Sequence, residues 1–318
     1  MEPIVMAPIV VKVGGANGVE PGAVCADVAA LAETGQPVVL VHGVSAAADM
    51  LAARVGLPVR QLTSPSGHVS RHTDPETLEI YVAAVSQVNK RLVGTLQRLG
   101  CNAIGLTGMD GRLLKARRKA AIRVVENGRQ RIVRDDYTGQ LEGANAALLR
   151  TLLDMGYVPV IAPLAIGEES EPLNVDGDRA AALVAGAMRA EALVLLSNVP
   201  GLLERYPDES SLIRHVPEGR IEWAETVAQG RMKKKVLAAR EALAGGVGRV
   251  ILGDSRRESP VLAALNGEGT VIGRPVNASF VLPIALSGPR AQWEMAALQP
   301  VEQERRGYGP EERVEDPR

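Results

Sequence analysis

Four short stretches of this chain pair glycine with charge in ways that suit the holding of an anion. In "VKVGGA", Lys12 ends an apolar run and precedes Gly14 and Gly15; a lysine so placed is costly to bury unless it faces negative charge. In "VVLVHGVSAAADM", a β-branched run breaks at His42-Gly43 and restarts as an alanine-rich stretch. A strand that turns at glycine into a helix points backbone N–H groups at one spot, where an anion can sit. Val44 occupies the place where such a turn usually has a second glycine, which predicts a negative φ there, with its N–H and that of Gly43 or Ser45 facing the cleft. In "NVDGDRAAALVAGAM", Asn174, Asp176 and Asp178 alternate before a helical stretch, more polar residues than one helix cap needs. A calcium loop is excluded there, because its required glycine and closing glutamate are missing. In "AQGRMKKKVLAAREAL", three lysines open a helix, where cations oppose the macrodipole unless an anion compensates.

The elements that position these residues follow from hydrophobic patterning. The runs "PIVVKV", "PVVLVH", "CNAIGL", "VPVIAP", "ALVLLS" and "GRVILG" read as buried parallel strands alternating with helical segments. That alternation predicts an α/β fold, a three-layer sandwich with a mainly parallel central sheet. The best-marked helix starts at Asp74, with Pro75 at its first position and Gly100 past its end, and repeats Leu78, Val82, Val85, Val88, Leu92, Leu96 and Leu99 at helical spacing. Asn127-Gly128, between two alternating runs, predicts a hairpin. The stretch 274–318, rich in Pro, Gly, Arg and Glu, reads as a disordered tail.

Composition narrows the partners. The 318 residues are 46% hydrophobic and 23% charged with a net charge of −1, so no global field draws the chain to nucleic acid or membrane. The two cysteines, Cys25 and Cys101, fall in apolar segments without CxxC spacing and read as buried free thiols, which suits a reducing cytoplasm. No P-loop, no GxGxxG after a strand and no nucleophile elbow is present. His42, His68, His72 and His215 lack metal-ligand spacing and read as structural residues, so no protein-built metal site is expected.

Taken in order, "KVGG", "VHG", "RHTD" leading to "VNK", "NVDGDRAA", "LLSNVPGL" and "GRMKKK" resemble the amino acid kinase family, in its acetylglutamate kinase branch, over about residues 8–273. Within that branch "SPSGHVSRHTD", "GLTGMDG", "RRK" and "RDDYTG" look most like the kinases that phosphorylate the side-chain carboxylate of 2-aminoadipate, or of glutamate, held through its amino group on LysW, a small acidic carrier protein. The resemblance implies the carbamate kinase-like fold, with an N-terminal amino-acid lobe over residues 1–190, a C-terminal nucleotide lobe over residues 191–273 and so a boundary near residue 190. It implies ATP and Mg²⁺, with the ion bridging ATP phosphates, and a homodimer formed through the helix after Asp74. By position it makes Lys12 and Lys235 the cations on the transferring phosphoryl group and the leaving nucleotide, and Asp178 the carboxylate that holds both. Asp178 is not a general base, since a carboxylate nucleophile has no proton to lose. Gly14, Gly15 and Gly43 let backbone approach the phosphates; Gly43, Val44, Arg71 and Asn174 contact the acceptor, Arg71 gripping its α-side carboxylate; and Ser197, Asn198 and Gly201 begin the nucleotide half.

Positive charge gathers between the third and fourth of these motifs, at Lys115, Arg117, Arg118, Lys119, Arg123, Arg129, Arg131 and Arg134. With aromatics at 3% there is little for bases to stack on, so this stretch suits an acidic protein better than nucleic acid. Arg117, Arg118 and Lys119 are therefore the expected carrier-docking residues. The alternatives to a carrier-dependent kinase are an N-acetylglutamate kinase and a catalytically weakened nucleotide-binding regulator, the latter suggested only by Val44.

Overall fold

A computed structural model describes residues 6–15, 21–65, 69–126 and 128–276. His68, Asn127 and the expected tail beyond residue 276 lie outside the described residues. Successive elements are β1 (Ile9–Val13), α1 (Pro21–Glu33), β2 (Val38–His42), α2 (Ser45–Arg54), the short pair β3 (Gln61–Thr63) and β4 (Val69–Arg71), and the long α3 (Pro75–Arg98). There follow β5 (Ala103–Gly108), β6 (Leu114–Arg118), β7 (Ile122–Glu126), β8 (Arg129–Val133), β9 (Gly139–Ala144), α4 (Ala146–Asp154), β10 (Val158–Ile166), β11 (Pro172–Asn174) and α5 (Gly177–Met188). The last part contains β12 (Ala192–Ser197), β13 (His215–Val216), α6 (Ile221–Val227), α7 (Met232–Ala244), β14 (Arg249–Asp254), α8 (Pro260–Leu265) and β15 (Thr270–Gly273).

The apolar runs singled out in the sequence are the heart of an 11-stranded sheet, in the order β5-β10-β2-β1-β12-β14 and all mutually parallel. All but β5, which is half-buried along most of its length, are buried on both faces, which explains why they read as continuous apolar runs. Residues alternate between faces: Val10, Val39, Val41, Leu193, Leu195, Val250 and Leu252 share one apolar cluster with residues of α5 and α7. Helices α1, α3 and α8 pack together and onto β2, β5, β10, β12 and β14, completing a helix–sheet–helix sandwich. One sheet continues across the boundary expected at 190/191.

Local signals behave as their chemistry dictates. Asp74 caps α3 by accepting from Thr77 N–H at 2.9 Å, with Pro75 as its first residue. Gly100, at φ +75°, ends it, and Cys101 N–H reaches back to Leu96 O at 2.9 Å. Strands β7 and β8 form the expected hairpin, Glu126 pairing with Arg129 across a turn that contains Gly128 at φ +73°. Cys25 and Cys101 are buried free thiols, and burial pushes the Cys25 thiol up to about 12. No helix among the described residues is long and apolar enough to cross a membrane.

The connectivity singles out one strand. From β1 the chain moves to β2 on one side, while its other neighbour is β12, from much later in the sequence. The carboxyl end of β1 is therefore a topological switch point, where open α/β sheets leave a crevice. Lys12 lies there, in register with Val41 and Leu195, and alternation puts it on the same face as Val10, toward α5 and α7.

Candidate functional site

Three charged residues from three elements meet in that crevice. Lys12 Nζ lies 2.7 Å from Asp178 Oδ1, and Lys235 Nζ donates to both Asp178 oxygens at 3.1 and 3.2 Å. All three are buried, Lys12 at 7%, Asp178 at 8% and Lys235 at 6% exposure. Burial pushes the Asp178 carboxyl up, but the ammonium groups of Lys12 and Lys235 and their hydrogen bonds outweigh it and hold the carboxyl well below the usual carboxylate range. Burial pulls the Lys235 ammonium below its usual value; Asp178 opposes that pull and Lys12 adds to it. One carboxylate between two ammonium groups leaves a positive charge unmatched inside the crevice, an arrangement that favours a further anion.

The polar residues before α5 divide the work. Asp176 is the helix cap, accepting from the N–H groups of Asp178 and Arg179 at 3.0 and 3.2 Å, and it also lies 3.5 Å from Lys234 Nζ. Two of the three lysines that open α7, Lys234 and Lys235, are thus met by acidic residues at the start of α5. Farther along, Arg179 and Glu241 tie the two helices through a bidentate pair at 2.9 and 2.6 Å. Gly177 brings α5 close to β1: a Cβ on it would lie 3.5 Å from Lys12 Cε and 3.9 Å from His42 O.

The two glycine turns interlock backbone to backbone. A Cβ on Gly15 would fall 2.2 Å from both Gly43 C and Val44 N, and one on Gly43 would fall 2.5 Å from Gly15 N; only glycine fits at either position. Gly15 O accepts from Ala46 N–H at 2.7 Å and from Ser45 Oγ at 2.9 Å. Val44 caps α2 with φ −138°, the negative φ expected of a β-branched residue. Gly43 N–H donates to Val13 O at 2.9 Å and is not available to a ligand, contrary to one of the donors expected from the sequence. The N–H groups of Val44 and Ser45 have no acceptor among the described residues.

The acceptor-side residues lie on short elements beside this crevice. Arg71, at the end of β4, donates to Ser45 O at 3.3 Å and pairs with Asp49 of α2. Asn174 Nδ2 donates to Thr73 Oγ1 at 3.0 Å. Thr73 is the hub here: its N–H donates to Asp136 Oδ2 at 3.1 Å, and its carbonyl accepts from Tyr137 N–H at 2.7 Å. The segment "RHTD" is thereby locked to "RDDYTG".

The expected docking residues separate. Arg118 donates to Asp136 O at 3.0 Å and Arg134 O at 3.2 Å, and its guanidinium lies 3.6 Å from the centroid of the Tyr137 ring. It is a clamp on the acceptor-side loop, not an outward cation. Arg117 is exposed beside Glu142 at 3.2 Å, and Lys119 is exposed. Arg123, Arg129 and Arg131 are exposed on the β7–β8 hairpin, with Arg131 paired to Glu126.

On the other side of β1, Ser197 ends β12 and its carbonyl accepts from the Ser255 N–H and hydroxyl at 2.7 and 2.8 Å, while Asn198 is exposed. Gly201 has a packing reason of its own, since a Cβ there would fall 2.6 Å from Thr270 Oγ1 and 2.8 Å from Leu212 Cδ1. Of the described histidines, His42 contacts Asn89 at 3.1 Å, His72 contacts Asp135 at 3.2 Å, and His215 donates to Gly273 O at 3.0 Å. The sequence reasoning missed Asp49, Thr73, Asp136 and Gly177, although the "DGD" spacing around Gly177 offered a signal; the other three become visible only through tertiary contacts.

The sequence profile of the amino acid kinase family matches residues 7–254. The chain belongs to the amino acid kinase family. This amino acid kinase family member is 55% identical over 267 residues to the LysW-aminoadipate kinase of Thermus thermophilus, covering 83% of this chain and 99% of the relative. It is 53% identical over 265 residues to the LysW-aminoadipate kinase of Deinococcus radiodurans, covering 83% and 91%. Among solved structures it resembles the N-acetylglutamate synthase of Neisseria gonorrhoeae complexed with coenzyme A and N-acetyl-glutamate. That match has a TM-score of 0.68 and 26% identity, and spans 85% of this chain and 60% of the other. The fold and family expected from the sequence agree with these matches.

Proposed function

We propose that this amino acid kinase family member transfers the γ-phosphoryl group of ATP to the side-chain carboxylate of 2-aminoadipate carried on the acidic protein LysW, giving an acyl phosphate in lysine biosynthesis, with LysW-bound glutamate as a second acceptor. The observation that carries the reading is the buried Lys12–Asp178–Lys235 cluster, whose unmatched positive charge suits a reaction between two anions. The relatives at 53% and 55% identity bear the corresponding name.

In this reaction the acceptor carboxylate attacks phosphorus, the bond to the leaving ADP oxygen breaks, and charge spreads over the phosphoryl oxygens. Lys12, at the switch point, and the Val44 N–H stabilise those oxygens; Lys235 neutralises charge toward ADP; Asp178 fixes both ammonium groups and takes no proton. Arg71 exchanges Asp49 and Ser45 O for the acceptor's α-carboxylate, and Asn174 holds the amide end from its seat on Thr73. Ser197, Asn198 and Gly201 lie along the nucleotide half, residues 191–273, and residues 1–190 form the acceptor half. Among the described residues no group of three or more His, Cys, Asp or Glu side chains could hold a metal ion. Mg²⁺ carried with the ATP would supply charge neutralisation beside Lys12 and Lys235.

LysW docks on the exposed cations Arg117, Lys119, Arg123, Arg129 and Arg131, beside the loop that Arg118 clamps. We also propose a homodimer through α3, located in the cytoplasm. The deciding experiment offers ATP with LysW-linked aminoadipate, LysW-linked glutamate or free N-acetylglutamate and traps the acyl phosphate as a hydroxamate. Turnover of the LysW-linked acids is expected; turnover of N-acetylglutamate alone, or of none, overturns the reading.

A further inference from the structure

Behind the glycine turn, a buried histidine and asparagine form a connected pair that the reaction itself does not use. His42 is fully buried at the end of β2. Its Nε2 accepts from Asn89 Nδ2 at 3.1 Å, which leaves Nδ1 to carry the proton and donate to Gly43 O at 3.4 Å. Burial, with a smaller push from Lys12, brings the imidazole down to about 4, against a small opposing effect of its hydrogen bond to Gly43, so the ring is neutral in that tautomer. Asn89, on α3, also donates to Val160 O of β10 at 2.9 Å, and a Cβ on Gly105 would lie 2.0 Å from its Oδ1. The asparagine is thus seated in a place that only a glycine on β5 leaves open.

The backbone on and just before the Gly43–Val44 peptide is also held in place. Gly15 packs against it, and Gly43 N–H is held by Val13 O. In a trans peptide the C=O and N–H point in opposite directions. The described residues contain one cis bond, at Tyr206-Pro207, so the Gly43–Val44 bond is trans. Holding Gly43 O against the His42 ring therefore turns Val44 N–H away from that ring, and this is one of the two N–H groups of the turn without an acceptor among the described residues.

We propose that His42 and Asn89 are positioning residues that lock the Gly43–Val44 peptide so that Val44 N–H stays aimed at the transferring phosphoryl group. The inference rests on the phosphotransfer reading above. It also explains how the turn works with valine where glycine is usual: the donor is a backbone group, and its direction is set by the histidine behind it rather than by glycine's freedom.

The test compares His42→Leu, His42→Asn, His42→Gln and Asn89→Leu with the wild-type enzyme, using ATP and LysW-linked aminoadipate and counting folded protein by circular dichroism. An asparagine amide nitrogen falls near the position of Nδ1, and a glutamine head near Nε2. Losing one well-placed donor to a transition state costs about 10²-fold in rate. His42→Leu and Asn89→Leu are expected to lower kcat by roughly that factor with both KM values within about threefold of wild type. His42→Asn should restore most of kcat and His42→Gln should not. Equal rescue by both, or unchanged kcat per folded molecule in the leucine variants, overturns the inference. If the leucine variants do not fold, the Asn and Gln pair still decides it. An inactive wild-type enzyme would instead overturn the phosphotransfer reading.

Discussion

The crevice at β1 and the acceptor side next to it are built on opposite plans. At the crevice every charge sits on a regular element and is met by another buried charge: Lys12 on β1, Asp178 on α5 and Lys235 on α7. On the acceptor side Arg71 and Asn174 end three-residue strands and Arg118 ends β6 near the margin of the sheet, and their partners are mostly backbone carbonyls and a hydroxyl. The contrast assigns precision to the central strands and helices and adaptability to the short strands and sheet margin beside them. Phosphoryl transfer is sensitive to small displacements of its cations, whereas recognition of a protein-borne acid can be carried by a surface that varies around a fixed hub.

The sharpest break in that contrast comes from the crevice. Lys12→Met is expected to lower kcat by about 10³-fold or more, measured by single-turnover phosphoryl transfer, because it removes a cation from the transferring group. Asp178→Asn should be worse for stability than for folding topology: two buried ammonium groups lose their partner, which costs about 3–5 kcal/mol, to be read from urea unfolding.

Acid separates the wild-type protein from Asp178→Asn. Asp178 has a folded-state value below its unfolded one, so its contribution to stability is present above the unfolded carboxylate value of about 3.9 and is lost as pH falls through the lowered folded value. Wild-type stability should therefore fall steeply below about pH 4, and Asp178→Asn should lack that component of the slope. A parallel pH dependence in the two proteins would show that Asp178 is not held by the lysines in solution.

On the acceptor side the effects are smaller and should split within a pair of neighbours. Arg118→Ala removes two hydrogen bonds and a stacking contact from the Asp136–Tyr137 loop, so kcat/KM for LysW-linked aminoadipate should drop about tenfold, largely independent of salt. Lys119→Glu combined with Arg117→Glu should raise KM a few-fold at low ionic strength, and the effect should fade by about 0.5 M salt, as surface charge is screened. If Arg118→Ala behaves like the surface pair, Arg118 is an outward cation after all.

The sequence made the crevice legible because its signals are local. Strand runs, glycine turns and the lysine run at the start of α7 each announce themselves within a dozen residues, and family order then aligned Lys12, Asp178 and Lys235. What escaped depends on who meets whom across the fold. Nothing near Arg118 says that its guanidinium turns inward onto Tyr137, and nothing near Asp49 says that it holds Arg71. Asn89 stood in plain view within "VNK", on the apolar helix α3, but its partners come from β2 and β10. Gly201 shows the converse case, a motif glycine that the packing against Thr270 explains on its own.

The position of β1 between β2 and β12 has a consequence for the birth of the enzyme. Its first neighbour follows closely in the chain, but β12 and the lysine of α7 come much later, with roughly 220 residues separating Lys12 from Lys235. At ribosomal speeds that interval is about 10–45 s. Until β12 is made, the nascent first half holds Lys12 on a strand that lacks its second neighbour, and Lys235 on α7 follows later still. Such long-range pairing makes folding slow, and it also means that no fragment ending before α7 can carry both lysines, so catalytic competence arrives late in synthesis, in one step.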